Sequence, residues 1–369
     1  MSDSKDTTNS AAHDGDRYEE LLKEANSIQG VSHWQDAMRQ LRKNRAAIWS
    51  FRFLITVCVL AFVTPILPLQ SPIAPDLENK QFKPPSTTKA SLKLTDDLKK
   101  DIDKLWNKPS GITRIMIHAR LKAFGTWCVP SLFGNDQAGR DVLSRVFWGA
   151  RVSIIVGVVA TLVSLLIGVT YGAVAGYVGG TVDAAMMRFV DILYSIPFIF
   201  VVIYLITVLS EEEIKQVMDS WGISRIMIFY VLIGAIYWLT MSRVVRGQVI
   251  SLKNDQFIEA ARVVGANWWR IVYRHLVPNV MGIVIVYLTL TIPAVMLFEA
   301  FLSFLGLGVE PPDVSWGSLV NDGIEAITPI RIYWWLVLFP GLAFALTLYA
   351  LNFLGDGLRD ALDPRLKNG

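Results

Sequence analysis

Six stretches of this chain contain no Asp, Glu, Lys or Arg, and they constrain its fold more than any other feature. They cover residues 53–75, 152–182, 192–210, 226–242, 275–298 and 332–355. A helix rising about 1.5 Å per residue needs roughly 20 residues, within a range of about 17–25, to cross the hydrocarbon of a bilayer. Five stretches fit that range, and 152–182 holds a span followed by the Gly-rich exit "GYVGG". Hydrophobic residues make up 53% of the chain and charged residues 18%, too little charge for a soluble protein of this length. Membrane-crossing strands would read as alternating runs of about ten residues, and none occurs. The sequence therefore predicts an all-α integral membrane protein with six transmembrane helices.

Charge places the ends. Arg39, Arg42, Lys43, Arg45 and Arg52 precede the first span with no acid among them, so the N-terminus is expected in the cytoplasm. Residues 211–225 and 299–331 are predominantly acidic, while 243–274 carries six basic residues against Asp255 and Glu259. The first two loops are expected outside and the third inside, with the C-terminus cytoplasmic. The expected organisation is a cytoplasmic tail over 1–47, a first span over 48–70 and an extracytoplasmic segment over 71–151. A core of five spans over 152–355, with a loop at 245–278, and a cytoplasmic tail over 356–369 complete it. The leader lacks the apolar core of a signal peptide and offers one short helix, "RYEELLKEANSI".

In the extracytoplasmic segment, "DDLKKDIDKLWNK" reads as a short helix started by Thr95. "GNDQAG" is turn chemistry, and "RDVLSRVFWGAR" has the spacing of an interfacial helix ahead of the second span. Cys58 and Cys128 are separated by span and segment, so no internal disulfide is expected.

The loop after the fourth span reads as two short helices. Phe257, Ala260, Ala261 and Val264 share a face of the first, capped by Asn254 or Asp255. Gly265 bends the chain. Asn267 caps the second helix, in which Trp268, Ile271, Val272, His275 and Leu276 oppose Arg270 and Arg274, and Pro278 ends it. An amphipathic hairpin resting on an anionic leaflet is one reading of this loop.

The residues "EAARVVGANWWRIVYRHLVP" also resemble the signature loop of ABC-importer permeases. Glu259, Ala260, Ala261, Gly265 and Pro278 match it, while His275 and Val277 replace the usual Ile and Leu. "GNDQAGRDVLSRVFWGARVS", "GYVGGTVDAAMMR", "SRVVRGQVISLKNDQFIEAARVVGA", "FLSFLGLGVEPPDVSWGSLVNDG" and "NFLGDGLRDALDPR" extend the likeness over roughly residues 125–367. Together they resemble the C-type permease subunit of oligopeptide and dipeptide importers. The segment 70–125 is longer than that family leads one to expect.

The resemblance implies a type I ABC-importer permease in a bacterial inner membrane. It implies that Glu259, Ala260, Ala261, Gly265 and Trp268 couple the spans to an ATPase. It further implies a second homologous permease subunit, two ATPase subunits and an extracytoplasmic peptide-binding protein as partners, with ATP and Mg held by the ATPases. This chain contains no G-x-x-x-x-G-K-[ST] phosphate loop and is expected to be neither an enzyme nor a cofactor or metal carrier. Nor does it contain a nucleic-acid module. Dipeptides, nickel complexes or peptide antibiotics are alternative cargoes. A secondary transporter is the alternative class, but it predicts an internal repeat and midplane ionisable groups, which are absent from the pattern.

Asp191 and Glu299 border spans, where interfacial placement competes with a transport-path role for Glu299; Asp191 is within reach of Arg188. Pro197, Pro293 and Pro340 are candidate kinks, and "GVTYGAVAGYVGG" predicts close helix packing.

Overall fold

The computed structural model describes residues 33–362 except 96, 110, 210 and 222–224. The tail helix expected over 17–28 and the extreme C-terminus lie outside the described residues. The helices are α1 (His33–Lys43), α2 (Arg45–Val63), α3 (Leu77–Lys80), α4 (Leu98–Leu105), α5 (Gly111–Phe124), α6 (Val142–Val178), α7 (Gly180–Ser195) and α8 (Phe198–Leu209). They continue with α9 (Glu212–Ser220), α10 (Arg225–Leu252), α11 (Gln256–Val263), α12 (Trp268–Arg270), α13 (Val277–Phe304), α14 (Trp316–Glu325) and α15 (Trp334–Leu362). Two short antiparallel strands, β1 (Ala90–Ser91) and β2 (Trp127–Cys128), a 3-10 turn at Thr64–Ile66 and a π-helical stretch at Ile271–Leu276 complete the described elements.

Among the described residues five helices are long and apolar enough to cross a membrane, and the count reaches six when the bent pair α7–α8 is taken as one span. The first starts at Arg45, earlier than the expected 48, because the Asn44 side chain accepts from the Ala47 N–H and caps it there. The second differs more. No separate interfacial helix precedes it: α6 is one helix of 37 residues, about 55 Å long, so it must project beyond a hydrocarbon layer of about 30 Å. Its start is fixed by Asp141, whose carboxylate accepts from Ser144 N and Oγ at 2.8 and 2.6 Å. Burial pushes that carboxyl above its usual range while the Ser144 bonds pull it down.

The expected third span, 192–210, is instead the second half of a broken crossing. α7 and α8 meet at 76°. At the break Ile196 is extended, with ψ 124°, the conformation favoured ahead of a proline, and Pro197 brings no N–H to the ladder. Pro293 and Pro340 are accommodated inside α13 and α15.

The core of the bundle is the crossing of α6 and α10. Gly168, Gly172 and Gly176 line one face of α6, and a Cβ on each would run into Met241, the Ser242 carbonyl or the Arg246 carbonyl of α10. Gly234 of α10 returns the contact against the Ala160 backbone. Close backbone approach through small residues is how helices pack where lipid offers no hydrophobic drive. Elsewhere Leu166, Phe200 and Tyr204 stand exposed, as apolar side chains facing lipid or a neighbouring subunit do.

Residues 64–141 and 305–333 lie at one end of the bundle, called here the insert end, and residues 253–276 lie at the other, the loop end. The insert folds around Leu92, Ile102, Trp106, Ile117 and Cys128. Asp97, not Thr95, caps α4; Thr95 instead donates through Oγ1 to Asp101. Arg120 of α5 is buried and donates to the carbonyls of Leu67 and Leu69 at 3.2 and 3.1 Å, which ties the insert to the end of the first crossing.

Candidate functional site

The loop end is built outward from a buried anchor. Ile258 of α11 and Ile271, Val272 and Leu276 beyond it are buried with Met241, Val245 and Val249 of α10 and Val169 and Ala173 of α6. Between these anchors α11 closes in a left-handed cap. Gly265 has φ +84°, its N–H donates to Arg262 O at 2.9 Å, and the Ala266 N–H donates to Ala261 O at 3.0 Å. This bond pair satisfies the last carbonyls of the helix and requires a residue at ease with positive φ. Asn267 then caps the next turn, its Oδ1 accepting from Arg270 N at 2.9 Å.

The face read from the sequence turns out to point away from the chain. Ile258, with Ala261 beside it, is the residue that packs inward, so Phe257, Ala260 and Val264 face outward; Val263 and Val264 are each 88% exposed. Glu259 lies exposed in the first turn, where a carboxylate complements the helix dipole. Trp268 is stacked on Trp269 at 3.9 Å, and Trp269 on Tyr273 at 5.5 Å, all three half-exposed. Glu259, Ala260, Gly265 and Trp268 are thus exposed together, with Ala261 partly covered, on the protruding loop.

Pro278 does not end the second helix. Residues Ile271–Leu276 form a π-helical turn that runs into α13, with Val277 N–H donating to Val272 O. Pro278 has no N–H for Arg274, and the wider turn absorbs the missing bond. The loop is therefore continuous with a membrane-crossing helix.

On its other side the loop follows α10, which is tied to α7 by two ion pairs that the sequence reading missed. Arg246 makes a two-pronged contact with Asp183 at 2.5 and 2.6 Å. Arg243 donates to Asp191 at 2.8 Å and lies 4.5 Å above the Tyr194 ring. Asp191 therefore pairs with Arg243, not with Arg188. Asp183 and Asp191 lie eight residues apart on α7 but Arg243 and Arg246 only three apart on α10, so spacing along the chain gave no signal; only the fold of α7 against α10 shows that they meet.

Glu299 faces neither lipid nor solvent. It is wholly buried, its Oε1 accepting from Ser303 Oγ at 2.8 Å and Ser315 Oγ at 2.7 Å. Ser315 in turn caps α14, so Glu299 holds α13 to that helix and lines neither a surface nor a described cavity. At the insert end, Asp136 in the turn "GNDQAG" pairs with Arg140 and Arg145 at 2.8 and 2.6 Å, and Arg145 reaches Asp322 of α14 at 3.1 Å. These groups are structural braces. Among the described residues no group of three or more His, Cys, Asp or Glu could hold a metal ion.

Comparison with known proteins places this geometry. Residues 168–368 match the model of the binding-protein-dependent transport system inner membrane component, and residues 32–85 match the N-terminal TM domain of oligopeptide transport permease C. The chain is 42% identical over 346 residues to the oligopeptide transport system permease protein OppC of Escherichia coli (strain K12), covering 94% of this chain and 96% of that protein. It is 38% identical over 351 residues to the dipeptide transport system permease protein DppC of Bacillus subtilis (strain 168), covering 95% and 92%. A similar protein from Lactococcus lactis subsp. cremoris, also named for dipeptide transport, is 33% identical over 369 residues, covering 98% and 97%. With its crossings, its protruding loop and these matches, the chain belongs to the family of binding-protein-dependent transport system inner membrane components, multi-pass permease subunits that are not themselves catalytic.

Proposed function

We propose that this chain is the membrane-spanning subunit of an ATP-driven importer that carries oligopeptides across a bacterial inner membrane by alternating access. The loop end then faces the cytoplasm with both termini, and the insert end faces outward. The loop over 245–278 docks on an ATPase through Glu259, Ala260, Ala261, Gly265 and Trp268. The observation that carries this reading is the loop itself: an apolar face held off the chain by a buried anchor and continuous with α10 and α13. Exposed valines and stacked tryptophans on a basic loop suit a groove on another protein, where aromatic anchors dominate binding.

The partners are a second homologous permease, two ATPase subunits that bind ATP and Mg, and an extracytoplasmic peptide-binding protein. A motor that binds ATP differently in two conformations shifts the spans only through a mechanical connection, and the loop supplies it. The names of the relatives favour oligopeptides first and dipeptides second.

Reconstitution of the full complex in vesicles tests the reading. Uptake of labelled trialanine should follow ATP and the loaded binding protein, survive a proton ionophore, and yield to a dipeptide competitor only in excess. The purified chain alone should hydrolyse no ATP. Uptake driven by a proton gradient without ATP would refute the proposal.

A further inference from the structure

The insert roofs a cleft of about 210 Å³ at the outer mouth of the bundle. Trp106, Lys108 and Thr113 of the insert form one wall, Trp148 and Arg151 of α6 the second, and Asp313 of the loop before α14 the third. Arg151 lies 5.0 Å over the Trp148 ring, and its Nη2 reaches Thr113 Oγ1 only at 3.5 Å. Arg140, Arg145, Arg243 and Arg246 all have carboxylate partners, whereas among the described residues Arg151 forms no ion pair. The same holds for Lys108 and Asp313. A partly buried guanidinium, planar and permanently charged, is costly to leave without an anion and well shaped to receive a carboxylate on two prongs.

A second hollow of about 180 Å³ shares the wall at Pro312 and Asp313 and is lined by Ile206, Phe229 and Leu307. A cation, an anion and an apolar recess side by side fit a ligand with a carboxylate, N–H donors or an ammonium, and an apolar side chain. An inorganic phosphate could pair with Arg151 but brings no ammonium and no apolar side chain for Asp313 and the recess. We propose that this cleft binds the C-terminal carboxylate of a transported peptide through Arg151, with Lys108 beside it, and that the insert exists to complete this site. The proposal rests on the peptide-transport reading above.

The test compares uptake of trialanine and trialanine amide by the complete complex in vesicles, with the binding protein constant. Arg151→Gln should cut uptake of the free acid by about tenfold, the loss of one charge-assisted bond, while amide uptake and abundance stay unchanged. Arg151→Lys should recover part of the loss. An unchanged acid-to-amide ratio in Arg151→Gln, or an equal loss for both peptides, would overturn the proposal. So would a loss that appears only when the vesicles contain phosphatidylglycerol, which would assign the arginine to a lipid headgroup. If the wild type admits no amide, retention of acid uptake by Arg151→Gln, or a loss that Arg151→Lys does not relieve, overturns it equally. A wild-type complex that takes up neither peptide with ATP refutes the transport reading itself.

Discussion

Replacing Gly265 by valine isolates the mechanical role of the loop. A Cβ built at this position meets nothing within 4 Å, so the substitution creates no clash inside the chain. What it meets is the backbone: φ is +84°, and a non-glycine residue held there costs on the order of 1–3 kcal/mol, most for a β-branched one. At about 1.4 kcal/mol per factor of ten, the bent loop loses about 5- to 150-fold in population relative to its alternatives. The anchors Ile258, Ile271, Val272 and Leu276 and every crossing helix are untouched, so abundance in the membrane should not change. Peptide uptake should fall by a factor in that range, and ATP hydrolysis by the assembled complex should become insensitive to the loaded binding protein. Gly265→Asn, which tolerates positive φ, should keep most of the activity. Normal uptake by Gly265→Val at matched expression, or equal damage from Asn and Val, would refute the reasoning. The first outcome would leave the loop as a hairpin resting on the membrane; the second would point to the missing side chain, not the bend.

Gly172→Leu should force α6 from α10 and destabilise the fold by about 1–3 kcal/mol or more, lowering the melting temperature in detergent, because its Cβ lands on the Ser242 carbonyl. Gly247→Ala, with open space around it, is the control and should stabilise slightly. Asp183→Arg should cost about 1–3 kcal/mol and reduce uptake, and adding Arg246→Asp should restore both if the two-pronged pair is what holds α7 to α10. Cys128 is buried, and burial pushes its thiol above the usual range despite the neighbouring Arg120, so its thiolate fraction at neutral pH is low. Maleimide should leave it unmodified until the chain is unfolded, and rapid labelling of the native protein would contradict the packing of the insert. For sidedness, a cysteine at the exposed Lys100 should react with an impermeant reagent from outside, and one at Val264 only after the membrane is opened.

The long charge-free runs and the basic flank of the first span were enough to specify a helical membrane protein, because hydrocarbon admits only helices or closed barrels and no alternating strand pattern was present. Turn chemistry was equally legible: Gly265 and Asn267 act through their own φ and their own side chain, which are local properties. Composition could not show where a helix breaks inside an apolar run. Pro197 breaks one whereas Pro293 and Pro340 do not, since neighbouring helices decide whether a freed carbonyl is tolerated. The outward face of α11 was invisible for the same reason, because Ile258 chooses its side only by finding the pocket between α6 and α10. Glu299 looked like a border residue because sequence measures distance along the chain. Its burial against Ser303 and Ser315, the pairing of Asp191 with Arg243 and the meeting of Trp106, Arg151 and Asp313 in one cleft depend on distance through space, which the tertiary fold alone sets.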